Sequence, residues 1–182
     1  MTNLSKWFGY PIYISKIKNY EEINKEILPY LKENVTATNS QYSRTTDIKA
    51  KDLQSIDDNL HTDERFDKLF KEIQQVIIAA LDAQHYNLEL FELYITKSWA
   101  TYSEKNQFIS THEHVASVYS FVYYVQINKD HSPLTFYEPQ QKRFYMPDSS
   151  EWNDANHQTV SILGEPGMLL VFPSHVFHGT EK

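Results

Sequence analysis

The sequence contains eight histidines and no cysteine. Two of the histidines, His112 and His114, stand two apart in THEHVASVYSFVYYV (111–125), at the head of a β-prone run. Neutral imidazole is the commonest metal ligand in proteins. In an extended segment, side chains two apart point to the same face. Both rings then reach toward one ion, and Glu113 between them turns away. A pair of imidazoles needs at least one further ligand from elsewhere in the chain. GEPGMLLVFPSHVFHG (164–179) offers candidates: a turn, an apolar strand, a proline, then His175 and His178. Three ligands on one side of an ion leave its other side open for chemistry, and imidazole suits iron, zinc, nickel and copper alike. His61, His85, His131 and His157 lie among polar residues and read as surface or hydrogen-bonded side chains.

Composition narrows the remaining options. The absence of cysteine excludes disulfides, thiolate-ligated zinc and a thiol nucleophile. Lys and Arg number 17 against 24 Asp and Glu, a formal charge of −7, which argues against a general nucleic-acid-binding surface. No apolar run approaches the length of a membrane span, and MTNLSKWFGYPIYI lacks the basic-then-apolar plan of a signal peptide. The expectation is a soluble, cytoplasmic protein acting on a small-molecule or macromolecular substrate. A length of 182 residues suggests one domain, residues 1–182.

The elements that must position the histidines follow from pattern. YPIYIS (10–15) reads as a first strand. Asn19 and Glu22 resemble a capping box ahead of Ile23, Ile27, Leu28 and Leu31, with Pro29 expected to kink or end that helix. Residues 34–60 are polar and without period, and read as a long loop with at most one short strand. Thr62 is placed to cap a helix whose stripe is Phe66, Leu69, Phe70, Ile73, Val76, Ile77, Ala80 and Leu81. From Leu88 the period changes to two. Strands are expected at 88–102, 107–114, 117–127, 134–138, 158–163 and 167–173, with another begun by 174–180. Helices first, up to about residue 87, and strands afterwards indicate an α+β protein: a β-sandwich or barrel backed by N-terminal helices.

At SWATYSEKNQFISTHEHVASVYSFVYYV (98–125), LTFYEP (134–139) and PGMLLVFPSHVFHGT (166–180), the chain resembles the 2-oxoglutarate/Fe(II)-dependent dioxygenase superfamily, in particular its phage and marine-bacterial branch. FGYPIYISKI (8–17) and the long helical segment also fit, so the resemblance extends over nearly the whole chain. It implies a double-stranded β-helix (jelly-roll, cupin-like) core. It also implies Fe(II) as cofactor, 2-oxoglutarate as cosubstrate and O2 as oxidant. Carried over by position, the metal ligands are His112, His114 and His178, with His175 behind them or near the entrance. The usual motif has a carboxylate where this chain has His114, a departure shared by the phage-like branch. The superfamily also places an Arg or Lys about ten residues beyond the distal histidine to pair with the cosubstrate's far carboxylate. The sequence ends at Lys182, so either it is truncated or other residues serve: Tyr102, Tyr124 and Arg143, with Lys97 a further positive partner. The implied activity is hydroxylation of a C–H bond. A cupin-like three-histidine metalloenzyme without 2-oxoglutarate is a second reading. A β-helix domain that binds without catalysis is a third.

Overall fold

The computed structural model describes residues 9–38, 43–45, 53–90, 92–104, 107–128, 130–138, 150–151, 153 and 156–180. Strand β1 (Tyr13–Lys16) leads into helix α1 (Tyr20–Asn34). Three short strands follow, β2 (Val35–Thr38), β3 (Ser43–Thr45) and β4 (Leu53–Ser55), and then helix α2 (Asp67–Asp82). The rest is β: β5 (Thr101–Tyr102), β6 (Gln107–Ile109), β7 (Tyr119–Tyr123), β8 (Leu134–Tyr137), β9 (Thr159–Ile162), β10 (Met168–Pro173) and β11 (Phe177–Thr180). The protein is therefore α+β with antiparallel sheets.

Two sheets matter most. One has the order β1-β10-β7, the other β11-β8-β9. Strand β10 is central in the first, and Leu169, Leu170, Val171 and Phe172 are all fully buried. Its alternate side chains serve two different cores. Leu169 and Val171 join Ile17, Ile23, Ile27 and Leu31 from the α1 region and Leu69 and Ile73 of α2. Leu170 and Phe172 join Leu134 and Phe136 of β8, with Val122 and Tyr124 packed alongside. Helices thus cover one face of the first sheet and the second sheet covers the other. Each fully buried Leu or Phe contributes about 1.5–3 kcal/mol by leaving water. Smaller sheets, β2-β4-β5 and β3-β6, flank this body.

Several sequence expectations need correction. Pro29 does not end α1: the helix runs on to Asn34. Pro29 is on the exposed side, so the carbonyl it leaves without a partner faces water. The cost of an interior proline, about 3 kcal/mol, is outweighed by burial of Ile23, Ile27 and Leu31 on the opposite face. Asn19 makes no side-chain cap. Thr62 does not cap α2 either. Its hydroxyl bonds to the Asn59 carbonyl, and a 3-10 turn at Glu64–Phe66, capped by Asp63, precedes the helix. The polar stretch 34–60 holds β2, β3 and β4 rather than a single strand. The long strand expected at 88–102 shrinks to Thr101–Tyr102: Leu88–Leu90 form a 3-10 turn, Ser98 makes an isolated bridge to Asn59, and the ladder with β4 spans the last two residues. The strand expected at 107–114 keeps its ladder only through Ile109. Among the described residues no helix is long and apolar enough to cross a membrane.

Candidate metal centre

The late strand and the histidine pair meet directly. His112 and His178 lie opposite each other in an isolated antiparallel bridge and exchange both backbone hydrogen bonds, each at 2.9 Å. Directly opposed residues present their side chains on one face. His178 in turn sits opposite Phe136 of β8, which places it on the face occupied by the inner apolar cluster. His114 is brought in by a third backbone bond, its N–H donating to the Ser174 carbonyl at 2.9 Å. Ser174 is fully buried, and its own N–H donates to the Val118 carbonyl at 3.0 Å. The turn after β10 is therefore laced to the segment that carries the pair.

Gly179 explains how segment 109–112 comes so close to β11. A Cβ there would stand 2.7 Å from the Ile109 carbonyl oxygen and 3.1 Å from the Thr111 nitrogen, so any side chain would push the crossing segment away. Along that segment exposure alternates: Thr111 and Glu113 face solvent while His112 and His114 are half-buried. Glu113 stands outside the histidine group.

The three rings form a triangle. Their centroids are 5.0 Å apart for His112–His114, 4.5 Å for His112–His178 and 5.1 Å for His114–His178. One nitrogen from each lies within 4.8 Å of the others. Two of the rings are oriented by the backbone. His112 Nδ1 lies 2.8 Å from the Ser110 carbonyl, and His178 Nδ1 lies 2.8 Å from the Val176 carbonyl. A carbonyl only accepts, so Nδ1 carries the proton in both rings and the Nε2 lone pair is left for a metal. This outer support is typical of metal-binding histidines. Burial holds His178 down to about 4, helped by its two neighbouring imidazoles, although the bond to Val176 opposes the shift. Burial, and then His112, also lower His114. Both rings are thus biased toward the neutral form that binds metal. Phe172 and Phe136 floor the site, at 4.8 and 6.1 Å from the His178 ring. Imidazole–metal bonds are about 2 Å long, so small ring rotations bring the three nitrogens onto one ion. The donor set, its protonation and its apolar floor fit a divalent first-row metal.

The other sequence candidates are spread more widely. His175 is exposed and its ring meets Tyr10 edge-on at 5.1 Å. Tyr102 is exposed on β5, paired with Leu53. Tyr124 packs into the inner apolar cluster, and burial pushes its phenol up to about 12. Lys97 is bound to Asp58 at 2.7 Å. Arg143 lies outside the described residues. Sequence reasoning overlooked Trp99, whose ring meets His114 edge-on at 5.7 Å. It also overlooked Ser110, Val176 and Ser174, which act through their carbonyls. Backbone carbonyls carry no sequence signal, and a tryptophan within a β-prone stretch reads as ordinary strand.

Residues 97–182 match the family described as "Putative 2OG-Fe(II) oxygenase". That match supports assignment of the chain to the 2OG-Fe(II) oxygenase superfamily. No curated protein matches it. The family implies Fe(II), 2-oxoglutarate and O2, and the histidine cluster is compatible with iron. The matched segment runs from just before β5 through β11 and contains all three clustered histidines, Tyr102 and Tyr124. It is narrower than the near-complete resemblance expected from the sequence, and α1 and α2 precede it.

Proposed function

We propose that His112, His114 and His178 hold one Fe(II) in a double-stranded β-helix core, and that the enzyme hydroxylates a C–H bond of its substrate. The observation that carries this reading is the convergence of three imidazoles from two distant parts of the chain, His178 among them buried. Fe(II) with 2-oxoglutarate and O2 supplies the oxidising power: the cosubstrate loses CO2 to become succinate, one oxygen atom enters succinate and the other enters the substrate.

The protein's own part is orientation and exclusion. The Ser110 and Val176 carbonyls fix two rings. Phe136 and Phe172 keep water from the inner side of His178. Of the residues considered for the cosubstrate's far carboxylate, Tyr124 has the most supportive surroundings. It lies in the cluster that includes both phenylalanines, and its hydroxyl has no hydrogen-bond partner among the described residues. Burial keeps the phenol protonated, so it donates to a carboxylate.

The test combines metal analysis with cosubstrate binding. The wild-type protein takes up one iron, and anaerobic addition of 2-oxoglutarate to the Fe(II) form produces a weak visible charge-transfer band. His112→Ala and His178→Ala lose the iron; His157→Ala keeps it. Stoichiometric iron in either of the first two variants refutes the ligand assignment. Iron uptake without the visible band would shift the reading to a three-histidine metalloenzyme, for which the all-imidazole donor set provides the motive.

A further inference from the structure

The three histidines are not held equally. His112 and His178 each have a ring nitrogen on a backbone carbonyl and are locked together by two backbone bonds. The His114 ring makes no hydrogen bond among the described residues. The chain beyond it offers little support: Val115 is 82% exposed, and Ala116 adopts a left-handed conformation, φ 67°, that side chains disfavour. What the His114 ring does have is the edge of Trp99, at 5.7 Å and 65° between planes.

Trp99 is well placed to act as a brace because its backbone is fixed on both sides. The Ser98 N–H donates to the Asp58 carbonyl at 2.9 Å, and the Ser98 carbonyl accepts from Leu60 at 3.1 Å. The Ala100 carbonyl accepts from Ser55 at 2.9 Å, and its N–H donates to Ser55 Oγ at 3.1 Å. Thr96 and Ser117 join the two segments through their hydroxyls at 3.1 Å. Trp99 is 41% exposed and belongs to neither apolar cluster.

We infer that Trp99 is a positioning residue for His114, its indole packing against a ring that lacks the carbonyl tether of the other two. The inference rests on the reading of His114 as a ligand. Hydrogen-bonded partners of metal-binding histidines change metal affinity by about 10–100-fold when removed, and a ring contact is expected to act at the lower end of that range.

Co(II) is the probe, titrated into the full chain and followed by its visible absorption. Trp99→Ala is expected to weaken Co(II) binding about tenfold and to alter the band, with Trp99→Phe recovering most of both. In a His114→Ala background, Trp99→Ala should cause no additional loss, which a general structural role would not produce. If Trp99→Ala does not fold, Trp99→Leu, which keeps bulk without an aromatic edge, is read in its place. Wild-type affinity and band in the folded Trp99→Ala or Trp99→Leu variant overturns the inference. So does an equal loss in the His114→Ala background. The parent reading fails separately: wild-type Co(II) binding that His114→Ala leaves intact removes His114 from the ligand set, and the role of Trp99 falls with it.

Discussion

Acidifying the metal-free protein tests whether the site is as dry as its packing indicates. His178 is 3% exposed and its folded value lies near 4, against 6.5 for an ordinary histidine. Between those values the unfolded chain takes up a proton that the folded chain refuses. The sign follows from linkage: the stability is fully present above 6.5 and is lost as pH falls toward 4. The slope approaches about 1.4 kcal/mol per pH unit within the window. Summed from pH 7 to pH 5, His178 alone should remove about 2 kcal/mol. His178→Gln carries no titrating ring, so it should lack this portion of the acid loss, whatever constant cost the substitution adds. The assay is urea unfolding of chelator-treated wild type and variant at pH 7 and pH 5, at fixed ionic strength. Comparing the two differences cancels the carboxylates common to both proteins. Equal losses would mean that His178 protonates freely in the folded state, and the picture of a desolvated, permanently neutral ligand would be wrong.

Three further outcomes follow from the same geometry. Gly179→Ala drives a methyl group against the Ile109 carbonyl; it should cost about 1–3 kcal/mol in urea unfolding and weaken metal binding, since Thr111 adjoins His112. Tyr124→Phe should raise the KM for 2-oxoglutarate about tenfold or more, the worth of a hydrogen bond to a charged group, while Fe(II) affinity stays unchanged; an unaltered KM would remove Tyr124 from the cosubstrate site. Leu169→Ala empties a fully buried position against the helices and should cost about 2–5 kcal/mol, read as a fall in the urea midpoint.

The parts of the fold that were legible are those where one periodicity dominates. The helical stripe from Phe66 to Leu81 and the apolar runs of β7, β8 and β10 declare themselves because burial demands them. LELFELYI has the same alternation, yet residues 88–90 coil into a 3-10 turn. Alternation shows that a strand is affordable locally, but a ladder also needs a partner, and the ladder with β4 pairs Thr101 and Tyr102. The strands within residues 34–60 were hidden for the converse reason: their partners supply the order, and their own polar residues carry no period. The site divides similarly. His112 and His114 were readable from spacing, and His178 as their partner from family resemblance. The ring tethers and Trp99 depend on tertiary placement, which a linear pattern does not encode.

Strand β10 sorts its residues by parity. Its odd-numbered leucine and valine, 169 and 171, face the helices, while even-numbered Leu170 and Phe172 face the histidine chamber. One strand is thus a party wall between two rooms. Changes at even positions alter the apolar cluster beneath the histidines, and changes at odd positions reset how firmly the helical layer is docked. The two properties are addressed by separate residues. The same arrangement forbids a one-residue slip of β10, which would exchange the linings of both rooms at once.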